Sequence, residues 1–233
     1  IGRATVTLLE AAGYQVLVLE RRRCCGRPMI SKGLLREAQR LARENVVLLA
    51  PFARAGIPIV GTEPSCILTF RDEYPDLLPK SEDVEIVAQQ SFLLDEFLVR
   101  AMQQDNLSLP WKRDRGPRVL FHGHCHQKAL VGTKHALTLL QAAGCEAEES
   151  GAGCCGMAGS FGYEAEHYAI SEKIGADRLF PKVLEQPADT IVAVMGVSCR
   201  EQIAHFTGRR PLHLAEVLAG RLDSTQHGGI VAE

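Results

Sequence analysis

Hydrophobic residues follow two rhythms along this chain, and the switch between them marks out its elements. Val6, Leu8, Leu9 and Ala12 lie on one helical face and Gly13 follows, which reads as the end of a helix. Tyr14-Gln15-Val16-Leu17-Val18-Leu19 is a β-type run and predicts a strand. Leu34, Leu35, Ala38, Leu41 and Ala42 recur at helical spacing. A second short helix is expected from Val46 to Ala55, interrupted by Pro51, and Ile57 to Gly61 reads as a buried strand that delivers Glu63-Pro64-Ser65-Cys66. Val84, Val87, Leu94, Phe97, Leu98 and Met102 suit one long amphipathic helix capped by Ser81, and Asp105 to Pro117 reads as a polar linker.

Beyond the linker the pattern starts again. Arg118 to His122 predicts a strand, Ala129 to Ala143 a helix closed by Gly144, and Glu164 to Leu179 a helix with Pro181 after it. Thr190 to Gly196 predicts an apolar strand, and a last helix holds His213 to Leu222. The polar tail from Asp223 is expected to be disordered. Leu8-Leu9-Glu10-Ala11-Ala12-Gly13 matches Leu139-Leu140-Gln141-Ala142-Ala143-Gly144, 131 residues on; Cys24-Cys25-Gly26 returns as Cys154-Cys155-Gly156 and Ser65-Cys66 as Ser198-Cys199. Strands alternating with helices, in this duplicated order, predict an α/β fold of two tandem pseudo-symmetric repeats. Each is a small parallel sheet flanked by helices, and the first lacks its opening strand and first ligand position. The expected division is residues 1–80 for the first repeat, 81–117 for helix and linker, 118–222 for the second repeat and 223–233 for the tail.

Composition narrows the function classes. In 233 residues, 26 basic side chains nearly balance 28 acidic ones, which gives no reason to expect a nucleic-acid partner. No apolar run approaches the roughly 20 residues that span a bilayer. The chain opens with Ile1 inside an amphipathic pattern, and we read it as a piece of a longer protein. Its eight cysteines number enough for four disulfides, but disulfides staple small domains without a core, and 46% of this chain is hydrophobic.

Thiolates explain the cysteines better. In the second half Cys125, Cys154, Cys155 and Cys199 each fall where a strand or turn meets a helix start. In a parallel α/β unit those points converge on one edge, and helix N-termini there favour anionic sulfur. Four thiolates can hold an iron–sulfur cluster, and the same four can hold structural zinc; the wide ligand spacing argues against a compact zinc ribbon. Cys24, Cys25 and Cys66 give the first half three ligands, open to zinc, a second cluster or neither. Gly156 and Gly159 can let backbone N–H groups approach sulfur. His122, His124 and His126 bracket Cys125 and are candidates to hydrogen-bond a sulfur, relay a proton or bind metal; His124 and His126 are the ones placed around the centre. Cys145 reads as a small buried hydrophobe. No catalytic dyad stands out.

Cys24-Cys25-Gly26-Arg27-Pro28, Glu63-Pro64-Ser65-Cys66, His124-Cys125-His126-Gln127-Lys128 and Gly153 to Gly162 resemble the cysteine-rich (Cys-Cys-Gly) domain. That domain occurs in the cysteine-rich subunit of heterodisulfide reductase, in the glycolate oxidase iron–sulfur subunit and in one subunit of anaerobic glycerol-3-phosphate dehydrogenase. The likeness is nearest to the C-terminal region of FAD-linked oxidases fused to an iron–sulfur part, of the D-2-hydroxyglutarate or D-lactate dehydrogenase type. The resemblance implies a 4Fe-4S cluster in the second repeat and FAD in an upstream part. It implies an electron-transfer role between a FAD-linked oxidase and a quinone or other carrier, in the cytoplasm or peripheral at the inner membrane. The family's last Cys-x-x-Cys is altered here, because Gln202 and Thr69 stand three residues after Cys199 and Cys66. That departure fits a single four-thiolate cluster better than the five-cysteine double cluster. The rival readings are thiol/disulfide chemistry at the cluster and a zinc-bearing docking domain.

Overall fold

A computed structural model describes residues 1–223. The helix α1 (Gly2–Ala11) ends as expected, with Gly13 in the left-handed region at φ +84°. The short α2 (Arg27–Ser31) starts from Gly26, and α3 (Leu35–Arg54) follows as one helix. Pro51 sits inside α3 rather than dividing it, because the buried face through Ala38, Ala42, Leu49 and Ala53 is continuous. Strand β1 (Ile59–Gly61) leads directly into α4 (Pro64–Arg71), and α5 (Glu73–Leu77) comes next.

The long helix expected across 84–102 is two helices. Ser81 caps α6 (Glu82–Gln89) as expected, accepting from the Val84 N–H. The chain then extends as β2 (Ser91–Leu93), parallel to β1, before α7 (Leu94–Gln104). All three β2 residues are buried, so this stretch is a strand sheltered on both faces, set between the two helices.

In the second half β3 (Arg118–His122) leads to α8 (Cys125–Leu130) and α9 (Lys134–Ala142), which are parted by Gly132 at φ +83° rather than forming the single helix expected there. Strand β4 (Glu146–Glu149) is followed by the cysteine loop, two 3-10 turns (Phe161–Tyr163 and Ala165–His167) and α10 (Tyr168–Leu184). Helix α10 starts later than expected and runs through Pro181. Strand β5 (Ile191–Val194), α11 (Val197–Thr207), β6 (Leu212–His213) and α12 (Leu214–Gly220) complete the described residues. Beyond Asp223, the expected tail lies outside them.

Both sheets are parallel: β1-β2, and β4-β3-β5-β6. Side chains alternate across the larger one. Val119, Phe121 and Ala193 join a core shared with α1, α4, α7, α9 and α12, so residues of both halves build it. Leu120, Val192 and Val194 face α10 and α11 and pack with Cys155 and Cys199. The sheet therefore has one face on the common core and one on the cysteine loop. Cys145 is buried in the common core as expected. Tyr14 to Leu19 is not a strand; Tyr14 and Val16 pack on the core while Leu17 and Val18 are 56% and 73% exposed. No helix among the described residues is long and apolar enough to cross a membrane.

Candidate metal centre

All the candidate cysteines of the second half lie at the C-terminal edges of the parallel strands. Strand β3 ends at His122 and α8 opens on Cys125. Strand β4 ends at Glu149, just ahead of the loop that carries Cys154 and Cys155, and β5 feeds α11, whose first turn holds Cys199. Stretches far apart in sequence thus reach one rim because their strands are parallel neighbours.

There the side chains meet in sequence: Cys125 contacts Cys154, Cys154 contacts Cys155, and Cys155 contacts Cys199. Hydrogen bonds from neighbouring thiols push Cys154 and Cys199 down, and the same contacts push Cys125 and Cys155 up. Backbone donors add to the effect. The Gly156 N–H lies 3.3 Å from the Cys154 sulfur, the Ala158 N–H also serves Cys154, and the Met157 N–H serves Cys155. Gly156 must be glycine, since at φ +98° an added Cβ would drive into the Ser171 carbonyl. Gly159, at φ +71°, lies against Ser31 of the first half.

The loop is clamped from two sides. Lys128 Nζ donates to the carbonyls of Ala152 and Gly153. Ser171 Oγ donates to the Gly156 carbonyl at 2.8 Å, and Gln202 Nε2 donates to Ser171 Oγ at 2.9 Å. Gln202, at the position of the family's last cysteine, is buried and holds the cysteine turn through Ser171. Thr69 likewise turns inward, its hydroxyl donating to the Ser65 carbonyl.

The first-half cysteines also converge. Cys25 Sγ is 3.4 Å from Cys66 Sγ, and Cys24 lies beside both. Their contact pushes Cys25 up and Cys66 down. The setting differs from the second half, because Cys24 and Cys66 are exposed.

Glu63 and the histidines join the two rims. Glu63 Oε1 accepts from Ser65 at the start of α4, while its Oε2 accepts the Val197 N–H at 2.8 Å, capping α11 from the other half. His213 Nε2 lies 3.0 Å from both the Thr62 and Met195 carbonyls. His124 is buried, caps α8 by accepting from the His126 N–H, and comes 3.9 Å from Glu63. Burial pushes the half-buried His126 down to about 4. The histidine that meets a sulfur directly is His122, against Cys199. Glu63 and His122 stood inside or beside the motifs, yet their roles depend on which strands are neighbours, and composition carries no such signal.

Four soft thiolate donors suit iron or zinc and not a hard cation. Among the described residues no group of three or more His, Cys, Asp or Glu side chains is arranged to hold a metal ion. The four sulfurs lie next to one another at the rim, and as soft donors their chemistry fits an iron–sulfur cluster.

The model of the cysteine-rich domain family matches residues 1–71 and again residues 119–204. The chain belongs to the cysteine-rich (CCG) domain family. It is 32% identical over 224 residues to the subunit designated C of the anaerobic glycerol-3-phosphate dehydrogenase of Escherichia coli K12, covering 95% of this chain and 55% of that protein. It is 30% identical over 215 residues to D-2-hydroxyglutarate dehydrogenase of the same organism, covering 91% of this chain and 20% of that one. Against lactate utilization protein A of Anoxybacillus flavithermus it is 30% identical over 234 residues, with 95% and 93% covered. The chain thus spans about half of the first relative, a fifth of the second and nearly all of the third.

Proposed function

We propose that this cysteine-rich chain is the iron–sulfur electron-transfer module of a flavin-linked D-2-hydroxy-acid dehydrogenase. One observation carries the reading: four thiols from separate stretches meet at one rim, where contacts between them push Cys154 and Cys199 down. The names of the relatives point the same way, since each joins a hydroxylated substrate to a dehydrogenase or to its use. In this reading FAD sits on a separate domain or subunit and oxidises the hydroxy acid. Electrons then leave through this chain to a quinone or another carrier. In this reading the module works in the cytoplasm or peripherally at the inner membrane.

A 4Fe-4S cluster, when bound, supplies reversible one-electron chemistry. Cys125, Cys154, Cys155 and Cys199 would hold it. The chain's own contribution is a wall of Ala152, Met157, Leu179 and Ile203 that excludes water, and N–H donors from Gly156, Met157 and Ala158 that offset thiolate charge. The more open trio Cys24, Cys25 and Cys66 would take zinc or a second cluster.

Anaerobic purification followed by iron and acid-labile sulfide analysis tests the proposal. Iron and sulfide in comparable amounts are expected. Zinc without sulfide would exclude it and leave a zinc-bearing docking domain.

A further inference from the structure

His122 is fully buried at the end of β3, beside Val194 at the end of β5. Its Nδ1 lies 2.9 Å from Ser150 Oγ, just beyond the end of β4. Ser150 is buried too, and its oxygen already accepts the Ala152 N–H at 3.3 Å. The hydroxyl hydrogen then has one acceptor among the described residues, Nδ1 of His122. A ring that accepts at Nδ1 carries its hydrogen on Nε2. That Nε2 is sealed from solvent and has no partner of conventional hydrogen-bond geometry among the described residues. The group the ring meets is the Cys199 sulfur. An N–H in this position has nowhere else to go, and a buried donor left without an acceptor is costly.

We propose that Ser150 and His122 form a relay that fixes the His122 ring as the Nε2–H tautomer and aims that hydrogen at the Cys199 sulfur. His122 is a positioning and tuning residue, not a ligand. Its N–H draws charge from the Cys199 thiolate and makes the centre easier to reduce. The relay spans the ends of three neighbouring strands, β4, β3 and β5. No residue of the first-half trio has a counterpart of it among the described residues. The inference rests on the cluster reading for its effect on potential, but the Ser150–His122 hydrogen bond needs no metal.

The test therefore has two arms on the whole chain. In the metal-free protein, nitrogen-15 NMR of the histidine rings should show His122 with hydrogen on Nε2 alone, and Ser150→Ala should mix the tautomers. In anaerobically reconstituted protein, His122→Leu should keep its iron and sulfide. Its reduction equilibrium constant should fall by about tenfold, about 59 mV for a one-electron step. His122→Gln, which can place an N–H near the same point, should recover most of that fall. Hydrogen on Nδ1 in the metal-free protein would overturn the relay, as would identical potentials for wild type and His122→Leu. Failure of the wild type to bind iron and sulfide would instead remove the cluster reading, leaving the tautomer arm to judge the relay.

Discussion

The two Cys-Cys-Gly halves contain similar sequences in different surroundings. In the second, β3 runs between β4 and β5, and its end delivers His122, His124 and Cys125 to the rim. In the first, β1 has only β2 as a partner among the described residues. The consequence shows in two short segments. Glu146-Ala147-Glu148-Glu149 has a poor composition for a strand, yet it is β4 because β3 pairs with every residue of it. Tyr14 to Leu19 is rich in strand formers and is not a strand. A neighbouring strand decides the outcome, and residue preference does not. The same neighbour decides the site: four thiols, mostly sheltered, where it is present, and three, two of them exposed, where it is not.

The sharpest way to break this comparison is to remove sulfur. Cys125, Cys154, Cys155 or Cys199 changed singly to Ser should each remove the iron and sulfide of the second-half centre. Cys24, Cys25 or Cys66 changed to Ser should leave that centre in place. The measurement is iron and sulfide per chain after anaerobic reconstitution. Loss of all iron and sulfide from single changes in both sets alike would mean that the halves share one centre.

The two cysteine turns differ in their tolerance of a side chain. Gly26 and Gly156 both have positive φ, +88° and +98°. A Cβ on Gly26 would meet Ala38 at 3.5 Å, an ordinary contact, while one on Gly156 would collide with the Ser171 backbone. Gly26→Ala should cost about 1–2 kcal/mol from the left-handed backbone alone. Gly156→Ala should cost roughly 2–5 kcal/mol, since overpacking adds to the strain. Denaturant unfolding of the two variants measures the gap, and equal costs would remove the distinction.

A third difference lies where β2 and β6 enter their helices. Leu93-Leu94-Asp95-Glu96 and His213-Leu214-Ala215-Glu216 both place a glutamate side chain back on the N-cap N–H. One has a buried aspartate where the other has alanine. Burial raises the Asp95 carboxyl to about 6, against donors from the backbone and Gln127 and the nearby His135. The folded state therefore holds that proton more tightly than the unfolded chain, whose carboxyl titrates near 3.8. The stability this contributes is full below pH 3.8 and lost as pH rises through about 6. The loss is about 3 kcal/mol. Asp95→Asn should flatten that part of the stability curve between pH 4 and 7. An unchanged slope would show that another group is responsible.

Much of this was legible in the sequence, and the misses have a common cause. The parallel α/β class, the place of the cysteines at strand ends and the Ser81 cap followed from periodicity and residue chemistry. The break at Ser91–Leu93 was hidden because a strand buried on both faces has no alternation to read, so its residues passed as part of a helix. Strand β4 was hidden by its three glutamates, and the sealed place of His122 by the need to know that β3 and β5 are neighbours. Each missed feature depends on a partner distant in sequence.

The smallest predicted effect tests that lesson directly. Val18 and Val194 are both valines in β-type runs, one 73% exposed and paired with no strand among the described residues, the other fully buried in the four-stranded sheet. Threonine keeps the shape and β-branching of valine and adds a hydroxyl, so the substitution isolates burial from strand preference. Val194→Thr should destabilise by about 1–3 kcal/mol, because its hydroxyl is taken from water without an assured partner. Val18→Thr should change stability by no more than about 0.5 kcal/mol. Thermal or urea unfolding of the two variants, side by side, gives both numbers. If Val18→Thr matched Val194→Thr, the Tyr14 to Leu19 run would have to be sheltered by some part of the protein. Context would then no longer explain why a run so rich in strand formers stays out of both sheets.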